Sequence, residues 1–354
     1  MRATSEHRSV VTAGRSAPPA VAGFTITRVN PVEHADAIKR LFLDHERPEF
    51  PDYFDRAFPD AVAEGGTSWV GWDEHGRLCA HIAQFPRAFA LGGRTLQGAL
   101  LANLMVATAH RKFWPALRLV RRLVDDVKAS GSVDLIYADP NELAQPVLRA
   151  AGFQPIGALQ RFVIPLTDLR RGVAVAIRLY HLIRRSRTMP LAAIDGVPED
   201  AASAIEPGQA NGARSLQPVR RASLYRARLA GYPSASDRWY RFHTRDRDAA
   251  LVGKALVRHH GRDGPAAVCV VQCEPMTLLS SLLVALARRV RDTGATRLEI
   301  WVMLQSQAAN AVRRAGFLPR PERIPLLALP LTRFGKQATA AGCEWQLLPI
   351  DVDR

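Results

Sequence analysis

Two alternating rhythms of apolar residues run along this chain, and they come in the same order twice. Helical spacing marks 35–42, 117–128 and 278–291, where one face of each helix would be buried. Alternating or short continuous apolar runs mark strands at 67–72, 78–84, 89–91, 96–106, 133–138, 249–258, 266–273 and 297–303. Asp73-Glu74-His75-Gly76 reads as a turn and Gly92-Gly93 as a two-residue hairpin. Strand, helix, several strands, helix, strand, helix, strand is an order that requires a mixed sheet with helices on both faces. The expected class is α/β in the α+β sense.

The two passes match in detail. Asn141-Glu142-Leu143-Ala144 leads to Val147-Leu148-Arg149-Ala150-Ala151-Gly152-Phe153-Gln154-Pro155. Gln305-Ser306-Gln307-Ala308 leads, at the same spacing, to Ala311-Val312-Arg313-Arg314-Ala315-Gly316-Phe317-Leu318-Pro319. Each stretch reads as a short helix closed by a glycine, which reaches the left-handed conformation at little cost. A strand follows each, 162–166 and 327–331. Upstream, Gly131 and Gly294 close the preceding helices, and 26–31 matches 194–198 ahead of helices at 35–42 and 201–205. A repeat of this length implies two tandem domains, as 354 residues would also suggest. The expected division is a disordered tail over 1–23, domains over 24–166 and 189–354, and a basic linker helix over 167–188.

Composition adds little to the fold. With 47% apolar and 23% charged residues the chain is an ordinary globular one. The net charge of +15 suits polyanionic partners: nucleic acid, anionic lipid or a phosphorylated cofactor. An Arg-rich proteome bias explains it equally well. Cys79, Cys269, Cys273 and Cys343 show no zinc-ligand pattern and read as free thiols, which suits a cytoplasmic protein. No apolar run reaches the ~18 residues of a membrane span. The helix expected in the linker has Val173, Val175, Ala176, Leu179, Leu182 and Ile183 on an apolar side among many arginines. It reads either as a linker packed on its neighbour or as a surface helix on an anionic membrane.

The order of elements and the Asn–Ala–Gly-Phe pattern resemble the GCN5-related N-acetyltransferase family, once per half. The resemblance implies two tandem domains of that type and an acyl-coenzyme A, acetyl or longer, as substrate. It implies an amine acceptor that the residues do not identify. Family members bind the coenzyme A pyrophosphate with backbone amides in an Arg/Gln-x-x-Gly-x-Gly/Ala loop that opens a helix, an anion site that helix geometry explains. The matching stretch here puts Arg111 and Ala116 on the end positions, with Lys112, Phe113, Trp114 and Pro115 between. Trp114 replaces a family glycine, and Pro115 has no N–H to donate. The resemblance also places the backbone of Leu104, Met105 or Val106 at the acyl carbonyl, and Asn141 beside the cofactor. In the second half the same loop, 272–281, has no Arg, Lys or Gly and carries Glu274, so that half is not expected to bind coenzyme A.

Acyl transfer to an amine needs a polarised carbonyl, a base and an acid for the leaving thiolate. The family acid is a tyrosine whose position is held here by Leu148, and by Val312 in the second half. Tyr137 and His110 are the substitute acids, and His81, His110, Asp139 and Glu142 the candidate bases. No metal site is expected. The aromatic and basic run 237–243 reads as core aromatics on a helix, or as part of an acceptor cleft or a base-stacking surface. The leading expectation is an N-acyltransferase with one active half. The alternatives are a non-catalytic binding protein of the same fold and a basic membrane-surface or nucleic-acid protein, nucleic acid being the less expected partner.

Overall fold

The computed structural model describes residues 24–45, 47–111, 113–167, 191–194, 215–219, 235–243, 251–261, 263–348 and 351. The expected tail, the linker helix beyond 167 and the helix at 201–205 lie outside these residues.

In the N-terminal half, β1 (Thr25–Val29) leads to helices α1 (Ala35–Leu43) and α2 (Phe50–Ala63). Then come β2 (Thr67–Trp72), β3 (Leu78–Leu91), β4 (Arg94–Val106), α3 (Phe113–Ser130), β5 (Leu135–Ala138), α4 (Ala144–Ala150) and β6 (Gln154–Pro165). In the second half β7 (Leu191–Ile194), β8 (Ser215–Val219), β9 (Ala235–His243), β10 (Leu251–His260) and β11 (Pro265–Cys273) precede α5 (Leu279–Arg291). The chain ends with β12 (Arg297–Met303), α6 (Gln307–Arg314), β13 (Leu318–Pro330), α7 (Arg333–Thr339) and β14 (Glu344–Trp345). This is the mixed α/β architecture expected from the sequence, and the run β3-β4-α3-β5-α4-β6 recurs as β10-β11-α5-β12-α6-β13.

Two local readings change. The segments 78–84 and 89–91 form one strand, β3, that runs through Pro86. Pro86 faces Ala99 of β4 on one side, and on the other it falls in the gap between the end of the β2 pairing at Gln84 and the start of the β8 pairing at Ala88, where no ladder bond is interrupted. The run 237–243 is strand β9, not a helix. Trp239, Tyr240 and Phe242 are all buried there, so both faces of the strand are covered and no alternation shows in the sequence.

One continuous sheet joins the halves, in the order β1-β2-β3-β4-β5-β13-β6-β12-β11-β10-β9-β7. The long strand that closes each repeat, β6 in the first half and β13 in the second, is exchanged. β13 pairs antiparallel with β5, from Leu327↔Ala138 to Pro330↔Leu135. β6 pairs antiparallel with β12, from Arg297↔Pro165 to Met303↔Leu159. β6 and β13 lie side by side at the centre. Arg161 on β6 locks this arrangement, donating from Nη2 and Nε to the Glu299 carboxylate at 2.7 and 3.0 Å and from Nη1 to Glu322 at 3.1 Å.

The core follows the sheet. On one face of the N-terminal half, Leu101, Ile136, Leu148 and Phe153 pack under α3 and α4. On the other, Phe42, Phe54, Phe58 and Phe89 pack with Trp345 and Leu347 from the C-terminal end of the chain. The second half has its own cluster around Leu283, Leu286 and Ile300.

Candidate functional site

β4 and β5 run parallel for three pairs, Gly98↔Leu135 to Leu100↔Tyr137, and then part. β5 ends at Ala138, whereas β4 continues to Val106. The backbone of β4 past Leu100 therefore has no strand partner on its β5 side. The seam is lined on the α3 side by Leu101, Val106, Leu117, Ala138 and Leu148, with Leu104 partly buried against them.

Within the seam β4 carries an extra residue. From His81 to Ala83 on β3, the partners on β4 run from Met105 to Ala102. Asn103 takes up the difference with φ 56°, the left-handed region that few non-glycine residues enter. His81 holds the bulge. Its Nδ1 lies 3.0 Å from the Asn103 carbonyl oxygen and its Nε2 3.0 Å from Ser68 Oγ. A carbonyl only accepts, so Nδ1 carries the proton and Nε2 accepts from the serine hydroxyl. His81 is fully buried, and burial pushes its pKa down to about 4. Neither ring nitrogen is left to take a substrate proton. That corrects the expectation of a base: His81 holds the strand.

Tyr137 is also corrected. It is fully buried on the opposite face from α3 and α4, and its hydroxyl donates to the Asp351 carbonyl at 2.6 Å. Leu148, at the family's acid position, is a core residue at 1% exposure. His110 lies on the short turn Thr108–His110 beyond the end of β4, partly exposed, with Nε2 3.9 Å from Asp73 Oδ2. The Arg77 amide above all, helped by the Arg77 side chain and the His75 amide, holds the Asp73 carboxyl below its ordinary value. Of the five acid and base candidates, His81 and Tyr137 are fully buried, His110 and Asp139 are partly exposed, and Glu142 is exposed.

The loop between β4 and α3 is shaped from both sides. The Thr108 amide donates to His45 Nε2 at 3.3 Å, and Thr108 Oγ1 lies 3.3 Å from His45 Nδ1. Arg111 is exposed, with Nε 3.5 Å from the Val106 carbonyl. Trp114 is half exposed in the first turn of α3, Pro115 follows it, and Ala116 packs into the core. Lys112 lies outside the described residues, as does the side chain of Phe113. Met105 is partly buried on the face opposite Leu104. Asn141 is exposed, and its Oδ1 accepts from the Ala144 amide, the first of α4, at 2.9 Å.

The second half repeats the architecture. β11 and β12 run parallel from Pro265↔Arg297 to Val268↔Ile300 and then part, and the extra residue of β11 is Cys269. Burial pushes the Cys269 thiol up to about 11. Among the described residues no three His, Cys, Asp or Glu side chains gather as a metal site would need. No described helix is long and apolar enough to cross a membrane.

Solved structures share this arrangement. A GCN5-related N-acetyltransferase from Anabaena variabilis superposes over 87% of this chain and 73% of its own, with a TM-score of 0.64 at 12% identity. The fold is that of the GCN5-related N-acetyltransferases. An Enterococcus faecalis protein described as a probable N-acyltransferase shares the fold equally well, with a TM-score of 0.64 at 12% identity over 87% of this chain and 73% of its own. Saccharomyces cerevisiae N-myristoyltransferase with bound myristoyl-CoA covers 88% of this chain and 83% of its own at 11% identity, with a TM-score of 0.50. No family profile matches the sequence, and no curated protein matches it. In this acetyltransferase fold, then, the halves are tandem copies joined by exchanged strands.

Two residues that build the bulge with His81 escaped the reading from sequence, Asn103 and Ser68. The signal for the first was a lone amide side chain in the apolar run 99–109.

Proposed function

We propose that the chain is an acyl-coenzyme A-dependent N-acyltransferase whose N-terminal half carries the thioester. The observation that carries this reading is the parted β4–β5 seam with its bulge at Asn103, next to the first turn of α3. The acyl-pantetheine arm would lie along β4 past Leu100, against Leu101 and Leu104. The pyrophosphate would meet the first amides of α3, with Arg111 and Lys112 adding charge. Pro115 takes one donor away from that turn, and the two basic residues offset it. In the second half the loop past Cys273 carries Glu274 and no basic residue, which supports one active half.

Transfer proceeds by direct attack. The amine nitrogen adds to the thioester carbon and gives up a proton, the C–S bond breaks, and the leaving thiolate takes a proton. Donors on the bulged strand stabilise the oxyanion. His110 is the candidate for the proton steps, because it is partly exposed on the turn just beyond the end of β4. The acceptor is a primary amine of unassigned class. A second reading, a binding protein that keeps the fold without transfer, is favoured by Leu148 at the acid position.

Calorimetric titration tests the first reading. Acetyl-coenzyme A or a long-chain acyl-coenzyme A is expected to bind saturably, and Arg111→Glu to weaken binding by about tenfold or more. No heat with either thioester at millimolar ligand would sink it.

A further inference from the structure

We propose that the side-chain amide of Asn103 donates a hydrogen bond to the thioester carbonyl, so that the oxyanion site of this chain is built partly from a side chain. The assignment rests on the acyl-coenzyme A reading above and sharpens it.

Asn103 bears two costs at once. Its φ of 56° is one that glycine would adopt without strain. Its Nδ2 is buried and has no hydrogen-bond partner. Buried amide donors are nearly always paired, and an unmade one costs free energy. A residue needed only for the turn of the backbone could be glycine and avoid both. Asn103 retains a donor instead, on β4 three residues past the last β4–β5 pair, where the strand has no partner on its β5 side.

The rest of Asn103 is fixed. Its carbonyl accepts from His81 Nδ1, and His81 is held in turn by Ser68. The chain of bonds runs one way, from the serine hydroxyl to the imidazole to the Asn103 carbonyl. His81 is thus a positioning residue: it pins the peptide at the bulge and, through it, the base of the Asn103 side chain. Linked hydrogen bonds polarise one another in a low-dielectric interior. At the corresponding bulge of the second half stands Cys269, which has no amide to offer.

The test compares acetyl-coenzyme A with coenzyme A, which lacks the acyl carbonyl. Asn103→Gly keeps the backbone conformation and removes the donor. It is expected to weaken acetyl-coenzyme A by about tenfold while coenzyme A binds as before. The carbonyl stretch of carbon-13-labelled acetyl-coenzyme A should shift to lower frequency on the wild-type protein and shift less on the variant. Asn103→Asp, which keeps the shape and puts a carboxylate oxygen toward the carbonyl, should lose acetyl-coenzyme A selectively even if the glycine variant folds poorly. Unchanged acetyl-coenzyme A binding in Asn103→Gly, or equal loss of both ligands in both variants, would overturn the assignment and leave the acyl-coenzyme A reading standing. A wild-type protein that binds neither ligand would overturn both.

Discussion

Gly335→Ala is expected to destabilise the protein by about 3 kcal/mol, although alanine is the better helix former by about 1 kcal/mol. Gly335 lies in the first turn of α7, where its amide donates to Thr332 Oγ1 at 3.1 Å. A Cβ there would collide with the Asp134 carbonyl oxygen and sit 2.9 Å from its carbon. Both are backbone atoms, and neither is free to move. The same oxygen accepts from the amides of Leu331 at 2.8 Å and Thr332 at 3.2 Å. The Asp134 carboxylate accepts from Thr332 Oγ1 at 2.7 Å and from the Gln97 amide at 2.9 Å. Asp134 therefore rivets the end of the second half onto the start of β5 in the first. A methyl group would push α7 off, and with it the cover that Trp345 and Leu347 give the aromatic core. Thermal unfolding of the variant measures this. A melting temperature equal to or above the wild type would mean that the rivet is not formed.

The second large effect is a loss of stability in mild acid, from His81. Burial holds its pKa near about 4 against the ordinary 6.5. The unfolded chain therefore takes up a proton at a higher pH than the folded one. Between about pH 6.5 and pH 4 the unfolded state binds more protons, so stability is whole above that window and falls as the pH drops through it. A separation of this size corresponds to roughly 3 kcal/mol. His259, also buried and held below its ordinary value chiefly by burial, adds in the same direction. A comparison with His81→Gln isolates the first contribution, because His259 is common to both proteins. The variant should be less stable than the wild type at pH 7 and lose less on going to pH 4.5, so that the gap narrows. Parallel urea midpoints across the window would contradict a neutral buried imidazole at the bulge.

What the sequence revealed of this fold, and what it hid, divides along physical lines. Gly152 and Gly316 stand at φ 98° and 93°, closing α4 and α6, and Phe153 and Phe317 behind them are core residues at 3% and 2% exposure. Those positions are dictated by local sterics and burial, so the repeat was legible. The strand exchange was not. Phe162-Val163-Ile164-Pro165 and Leu327-Ala328-Leu329-Pro330 carry nearly the same apolar pattern. Either strand satisfies either neighbour, and alternation fixes the face of a strand without choosing its partner. The run 237–243 misled for a related reason, since a strand covered on both faces has no rhythm to distinguish it from a helix. At the site, the loop from Arg111 to Ala116 could be read from its place between strand and helix. The roles of His81 and Tyr137 could not, because they turn on whether a ring nitrogen or a hydroxyl is already engaged. Both are, by Ser68 and Asn103 in one case and by Asp351 in the other.

The central claim is that a coenzyme A thioester lies in the N-terminal seam and that the matching seam of the second half is left out. Hydrogen–deuterium exchange with and without saturating acetyl-coenzyme A tests it most directly. Slowed exchange in peptides covering 101–111, with none in peptides covering 269–278, is the predicted result. Protection confined to 269–278, or none in either segment at saturating thioester, would contradict it.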